Sequence, residues 1–306
     1  MRAERGCSLN VGSALGPTSH AVEVAAGSES HWNGLLRSAL ARQKNFTAKA
    51  GAMCLVSACP SPLTMASIAD TYYSTATTLL ARAREANAPT LKKLGAILGQ
   101  SVANGGVIHT FGSGHSEVIG REIIGRAGGL VCVSGLYDPT GGFIENLVGY
   151  GTKMAERYDR AHGLLAGETI IVISNSGKNS SPIEVALYAR QKQMNVVALT
   201  SVGMAKTAVT VHPGGKKLHE IADYTLDNLG LAGDAIAPVT EGVMAGPTST
   251  LIGATLLNLM MLETIDWLKA GGHHLPILRS QNMPDAIAYN RELGKKYKGR
   301  LSRQLA

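Results

Sequence analysis

Short apolar runs and helical periods alternate along this chain from residue 106 onward. Val107 to Phe111, Leu130 to Val133, Thr169 to Ile173 and Val196 to Leu199 are β-rich runs bounded by turn-forming residues, and Tyr224 to Leu226 supplies a fifth. Helical patterns fill the gaps over Ser116 to Arg126, Ile144 to Arg160 and Pro182 to Gln193, and a long apolar helix follows over Thr248 to Lys269. This rhythm predicts an α/β fold, a single three-layer αβα domain with a five-stranded parallel sheet covered on both faces. Ahead of it, Met65 to Gly106 carries two amphipathic helical patterns, broken at Asn87 to Pro89 because proline lacks the N–H that a helix interior uses. The domain is therefore expected over 65–306, flanked by N-terminal and C-terminal helices. Residues 1–64 mix Gly, Ser, Ala and scattered charge without a period, which predicts a poorly ordered extension, one reading being translation from an upstream start.

The third apolar run ends abruptly. Ile170 to Ile173 empties into Ser174, Asn175, Ser176, Gly177, Lys178, Asn179, Ser180 and Ser181, and Pro182 then opens a helical pattern as its expected first residue. A strand that passes through hydroxyls and a glycine into a helix N-terminus presents unpaired N–H groups and the positive end of the helix dipole, an arrangement suited to phosphate.

Composition narrows the partners. The net charge of +7 lies at the ends: residues 1–64 hold six Lys/Arg against three Asp/Glu, residues 65–290 hold 17 against 18, and residues 291–306 hold six against one. A neutral body and only 5% aromatic residues argue against a nucleic-acid partner. The terminal cluster Lys295, Lys296, Lys298, Arg300 and Arg303 reads as a solvated or frayed tail. Cys7, Cys54, Cys59 and Cys132 show neither metal-ligand spacing nor a disulfide framework, so no metal is expected and a cytoplasmic setting fits best. The longest uncharged run, Gly242 to Leu262, contains Pro247 and several polar residues and is expected to be a buried helix, with no membrane partner.

A second polar turn, Thr110-Phe-Gly-Ser-Gly-His-Ser116, leaves the first strand. Gly112 and Gly114 permit a tight backbone, and Ser113, His115 and Ser116 surround it; a plain connection with Ser116 as helix cap is the competing reading. Glu117 stands where a dinucleotide fingerprint needs its third glycine, and no Gly-Lys-Ser/Thr ending is present, so no cofactor is expected. Two such turns at one sheet edge can clasp a small phosphorylated ligand. TFGSGHS and ISNSGKNSS together resemble the sugar isomerase (SIS) domain family over roughly residues 66–290, within an uncharacterised phosphosugar-binding branch that shares an ending similar to SQNMPDAIAYN. The resemblance implies that Ser174 and Ser176 hold phosphate, that Asn179 takes a place where relatives have Ser or Thr, and that Ser113, His115 and Ser116 contact sugar or phosphate. Lys178 is an addition that could neutralise charge.

Aldose–ketose isomerisation needs a base, usually a carboxylate, and a group that manages ring opening. Glu145, in the Gly-rich segment DPTGGFIEN, is the favoured base; Glu122 is the alternative, and His219 is a candidate for ring opening across a subunit interface. Similar enzymes keep a carboxylate one turn further along the first helix, where this chain has Arg126, so that acid does not carry over. The resemblance implies a phosphosugar ligand, sugar-phosphate isomerase activity and a homodimer or larger homo-oligomer. An etherase or lyase acting on an amino-sugar phosphate, a non-catalytic phosphosugar sensor and a ligand-free interaction protein are the competing classes.

Overall fold

The computed structural model describes residues 66–303, so the extension expected over 1–64, with Cys7, Cys54 and Cys59, lies outside the described residues. In chain order the elements are α1 (Ile68–Ala103), β1 (Ile108–Gly112), α2 (His115–Arg121), β2 (Val133–Tyr137), α3 (Tyr150–His162), β3 (Thr169–Ile173), α4 (Ser180–Gln191), β4 (Asn195–Thr200), α5 (Val202–Thr207), α6 (Leu218–Ile221), β5 (Tyr224–Asp227), β6 (Ala235–Thr240), β7 (Val243–Pro247), α7 (Ser249–Ala270) and α8 (Ala286–Lys295). The predicted five-stranded parallel sheet is present, in the order β2-β1-β3-β4-β5. Alternate residues feed opposite faces, as strand geometry requires. Ile171 and Ile173 pack with α1, α2 and α7, whereas Ile170 and Val172 pack with α3 and α4.

Four expectations are corrected. The two helical patterns before the sheet are one 36-residue helix, α1, with Pro89 inside it. Buried Asn87 holds this stretch: its side chain donates to Ala83 O (2.7 Å) and Asp227 O (2.8 Å) and accepts from Asp227 N–H (2.9 Å), tying α1 to the end of β5. The second strand lies later than the apolar run Leu130 to Val133, because β2 sits at the sheet edge and pairs only with β1, through Val133 to Tyr137. Residues 144–149, the start of the expected Ile144 to Arg160 helix, form turns before α3. The uncharged run begins with β7, which pairs antiparallel with β6 in a two-stranded sheet that periodicity did not reveal. The rest of that run is α7, long and apolar enough by length and composition to cross a bilayer. Here it packs on α1, where Gly95 and Gly99 leave room for Glu263 and Trp267.

The basic tail is not frayed. Arg300 donates both to Glu168 (2.9 and 2.8 Å) and to His162 O (2.6 Å), Ser302 exchanges bonds with Ser134 and Gly135, and Tyr297 is buried. Glu168 also accepts from Val107 N–H (2.9 Å), Leu165 N–H (3.2 Å) and the fully buried His109 (3.1 Å). Burial holds His109 below its ordinary value of 6.5, more strongly than Glu168 draws it upward. Burial alone would raise the Glu168 carboxyl, but the bonds from His109, Val107 and Arg300 outweigh it and keep it below the ordinary 4.5. Both groups thus bind fewer protons in the folded chain than in the unfolded one, so stability rises with pH. The His109 contribution is complete above 6.5 and is lost as pH falls below it; that of Glu168 is lost further down, below 4.5. The urea midpoint is expected to fall between pH 7 and pH 5, and to fall less in His109→Gln; equal declines in both proteins would contradict this assignment. Cys132 is buried, and burial pushes its thiol up to about 12, which leaves it inert at neutral pH.

Candidate phosphate and sugar site

β1 and β3 are adjacent and in register, with Gly112 opposite Ile173. From there the chain leaves β1 toward β2 and leaves β3 toward β4, on opposite sides. The two polar turns therefore open at the switch point of the sheet, where open α/β folds hold ligands.

After β3 the chain makes a tight turn. Ser174 N–H donates to Leu199 O (3.0 Å), Ser174 O accepts from Gly177 N–H (3.2 Å), and Gly177 sits at φ +61°, a conformation that side chains strain. The backbone N–H groups of Asn175, Ser176, Lys178, Asn179 and Ser180 have no acceptor among the described residues. Helix α4 starts at Ser180 with Asn179 as its cap, two residues before Pro182, which still lies in the first turn, where no intrahelical donor is needed. Ser180 and Ser181 are fully buried, and their hydroxyls have no partner among the described residues. Ser174 is nearly buried, Ser176 is partly exposed, and neither hydroxyl is committed to a protein partner. The Lys178 carbonyl is held by Val211 N–H (3.1 Å) and the Thr210 hydroxyl (3.2 Å), while its ammonium makes no ion pair among the described residues.

The turn after β1 is equally constrained. A side chain at Gly112 would strike the backbone of Ser116 and Glu117. Gly114, not Ser116, caps α2; His115 and Ser116 are its first residues, His115 exposed and Ser116 half-buried, so the reading of Ser116 as a cap is corrected. Ser113 is buried and donates to Asp138 (2.9 Å).

Asp138 escaped the sequence reading. It also accepts from Thr140 N–H and hydroxyl (2.9 and 2.7 Å), Gly142 N–H (3.0 Å) and the Tyr150 hydroxyl (2.9 Å). Burial would raise its carboxyl, but the Thr140, Tyr150 and Ser113 bonds together hold it below the ordinary value. The ionised group fixes residues 138–142 against Ser113, and the Asp-Pro-Thr-Gly-Gly sequence was the available signal.

Beyond that anchor the segment reaches the phosphate turn. Glu145 accepts from the Asn179 side chain (2.6 Å), and its carbonyl accepts Ser181 N–H (2.8 Å). The structure thus joins the expected base to Asn179 and to the first turn of α4. Glu122 is not brought there: it lies past the end of α2, about 9 Å along from Ser116 at helical rise, and pairs with Arg126. His219 is in α6, one residue beyond the Leu218 N–H that donates to Gly177 O (2.9 Å); its Nδ1 is buried without a partner among the described residues. Two other groups escaped the sequence reading. Glu184 receives the N–H groups of Gly149 (2.6 Å) and Thr152 (3.1 Å), capping α3 from within α4, and His212 Nε2 lies 3.9 Å from its Oε1. His273 stacks on Trp267 with centroids 5.3 Å apart.

Several known proteins are similar to this chain. A family model described as SIS domain matches residues 71–201. A UPF0309 protein of Geobacillus sp. strain WCH70 is 35% identical over 219 residues, spanning 69% of this chain and 88% of that protein. Another, from Listeria monocytogenes serovar 1/2a, is 30% identical over 233 residues, spanning 76% and 97%. Among solved structures, a phosphoheptose isomerase from Francisella tularensis aligns with 63% of this chain and 96% of its own at 16% identity and a TM-score of 0.43. The Vibrio vulnificus NanR protein complexed with ManNAc-6P aligns with 78% and 71% at 16% identity and a TM-score of 0.42.

Proposed function

The chain belongs to the SIS-domain family, in the company of the UPF0309 proteins, and from that premise we propose that it binds a phosphosugar at the switch point and isomerises it. One observation carries the reading: the Ser174 to Ser180 turn offers two uncommitted hydroxyls and a row of free N–H groups at the start of α4, with Glu145 bonded to its rim. The phosphate sits in that turn, drawn by the helix dipole and by the unpaired Lys178 ammonium. Its sugar extends toward the segment 138–149. There Glu145, with Oε1 engaged by Asn179, keeps Oε2 free to take a proton from the carbon beside a carbonyl. Ser113 and Ser116 line the β1 side, and Asp138 sets the distance between the two walls. We read the working form as a homodimer or larger homo-oligomer, since Phe143, 92% exposed, lies with exposed Leu147 and Val148 beside the site.

The serine pair supplies the test. Ser174→Ala with Ser176→Ala removes two uncommitted hydroxyl donors and leaves the turn its backbone N–H groups. Each is expected to cost about 0.5 to 1.5 kcal/mol of binding free energy, so together they weaken a sugar phosphate roughly 5- to 150-fold in titration calorimetry. Unchanged affinity would reduce the turn to a helix start and remove the phosphate from it.

A further inference from the structure

A cavity of about 510 Å³ lies not at the serine turns but on the open edge of the sheet, between β2 and α3. We propose that it is a second ligand site, for an anion carrying a flat ring with a hydrogen-bonding rim, a nucleoside phosphate. Its volume falls within the range of ordinary ligand pockets.

Three features select that chemistry. The first is the strand edge. Cys132 O accepts Ile108 N–H (2.9 Å) on the β1 side, so by the two-residue period Gly135 and Tyr137 turn their backbone groups outward. The Gly135 N–H is already taken by Ser302 Oγ (3.0 Å), which leaves Gly135 C=O, Tyr137 N–H and Tyr137 C=O open on the cavity side. A donor flanked by acceptors suits the mixed rim of a nucleobase. The second feature is the apolar lining. Leu136, Pro139, Met154 and the ring of Tyr158 form it, a carbon-lined face that suits a flat ring better than a bare sugar. The third is charge. Lys153 and Arg157, one turn apart on α3, and His162 line the cavity, and no carboxylate does. Lys153 pairs only with Glu156 (2.8 Å), and Arg157 forms no ion pair among the described residues. The ring of the ligand lies along the strand and its phosphate reaches the two cations. Built from a strand edge and a helix flank, this site has none of the glycine-rich signature by which sequence reveals nucleotide sites.

It is distinct from the serine turns, yet touches them through one residue: Tyr150 lines the cavity and donates to Asp138. ADP is the probe. Titration calorimetry of the full chain is expected to show ADP binding that weakens roughly tenfold or more in Arg157→Glu and in Ala161→Trp, which fills the cavity from an exposed position. Binding should be unchanged in the Ser174→Ala, Ser176→Ala variant. Circular dichroism and melting confirm that the variants fold. Absence of ADP binding by the natural sequence overturns the proposal, as does binding that survives both edge substitutions but is lost with the serines, which would put the nucleotide phosphates in the β3 turn.

Discussion

Glu168→Ala is expected to lower the free energy of unfolding by about 3 to 5 kcal/mol, the cost of breaking a buried ion pair from one side. The carboxylate accepts from two backbone N–H groups, from His109 and twice from Arg300. Without it, Arg300 keeps a quarter of its side chain in water, but His109 and Val107 N–H have no route to solvent. The loss extends beyond one pair, because Arg300 carries the C-terminal segment and Ser302 against β2, closing the lower end of the edge cavity. Urea unfolding at pH 7 measures it, with Glu168→Gln falling between the two since it keeps an acceptor but not the charge. A change below about 1 kcal/mol would show that the C-terminal segment is held by apolar packing alone.

The second large effect is chemical. In Glu145→Gln, exchange of solvent protons into C1 or C2 of a sugar phosphate, followed by NMR, is expected to drop roughly 100- to 10,000-fold, the range for removing a general base. Affinity should change little, because a glutamine carbonyl can still accept from Asn179 and the Ser181 N–H bonds the backbone of residue 145. Exchange that persists would move the base elsewhere, with His212 beside Glu184 the next group to test. Binding without exchange in the natural sequence would leave the sensor reading, in which the same turn holds the same phosphate.

What could be read in the sequence follows from range. Strands β1, β3, β4 and β5 and helices α4 and α7 were legible because their apolar periods are local and buried on the expected faces. The turn after β3 was legible for the same reason: serine, glycine and a helix start sit in one short stretch. Its partner across the sheet was not. That Glu145 reaches Asn179, rather than standing on a surface helix, depends on the Asp138 anchor and on Gly142 fitting against Gly114, neither of which has a period. Pro89 misled because Asn87, two residues before it in α1, is tied to Asp227, a contact 140 residues long in sequence. Arg300 misled because a basic cluster gives no sign of the carboxylate it meets, 132 residues earlier. Glu122 stands just past the end of α2 and pairs with Arg126, a local contact that its spacing from Ser116 did not announce.

The central claim, a phosphosugar held by the two turns at the β1–β3 switch point, is tested most directly by the melting temperature of the chain against sugar phosphates and the same sugars without phosphate. A cognate sugar phosphate at about 100 times its dissociation constant adds close to 2.7 kcal/mol, a rise of roughly 5 to 10 °C for a domain of this size, while the unphosphorylated sugar leaves the transition where it was. A melting temperature that no sugar phosphate moves would contradict the account.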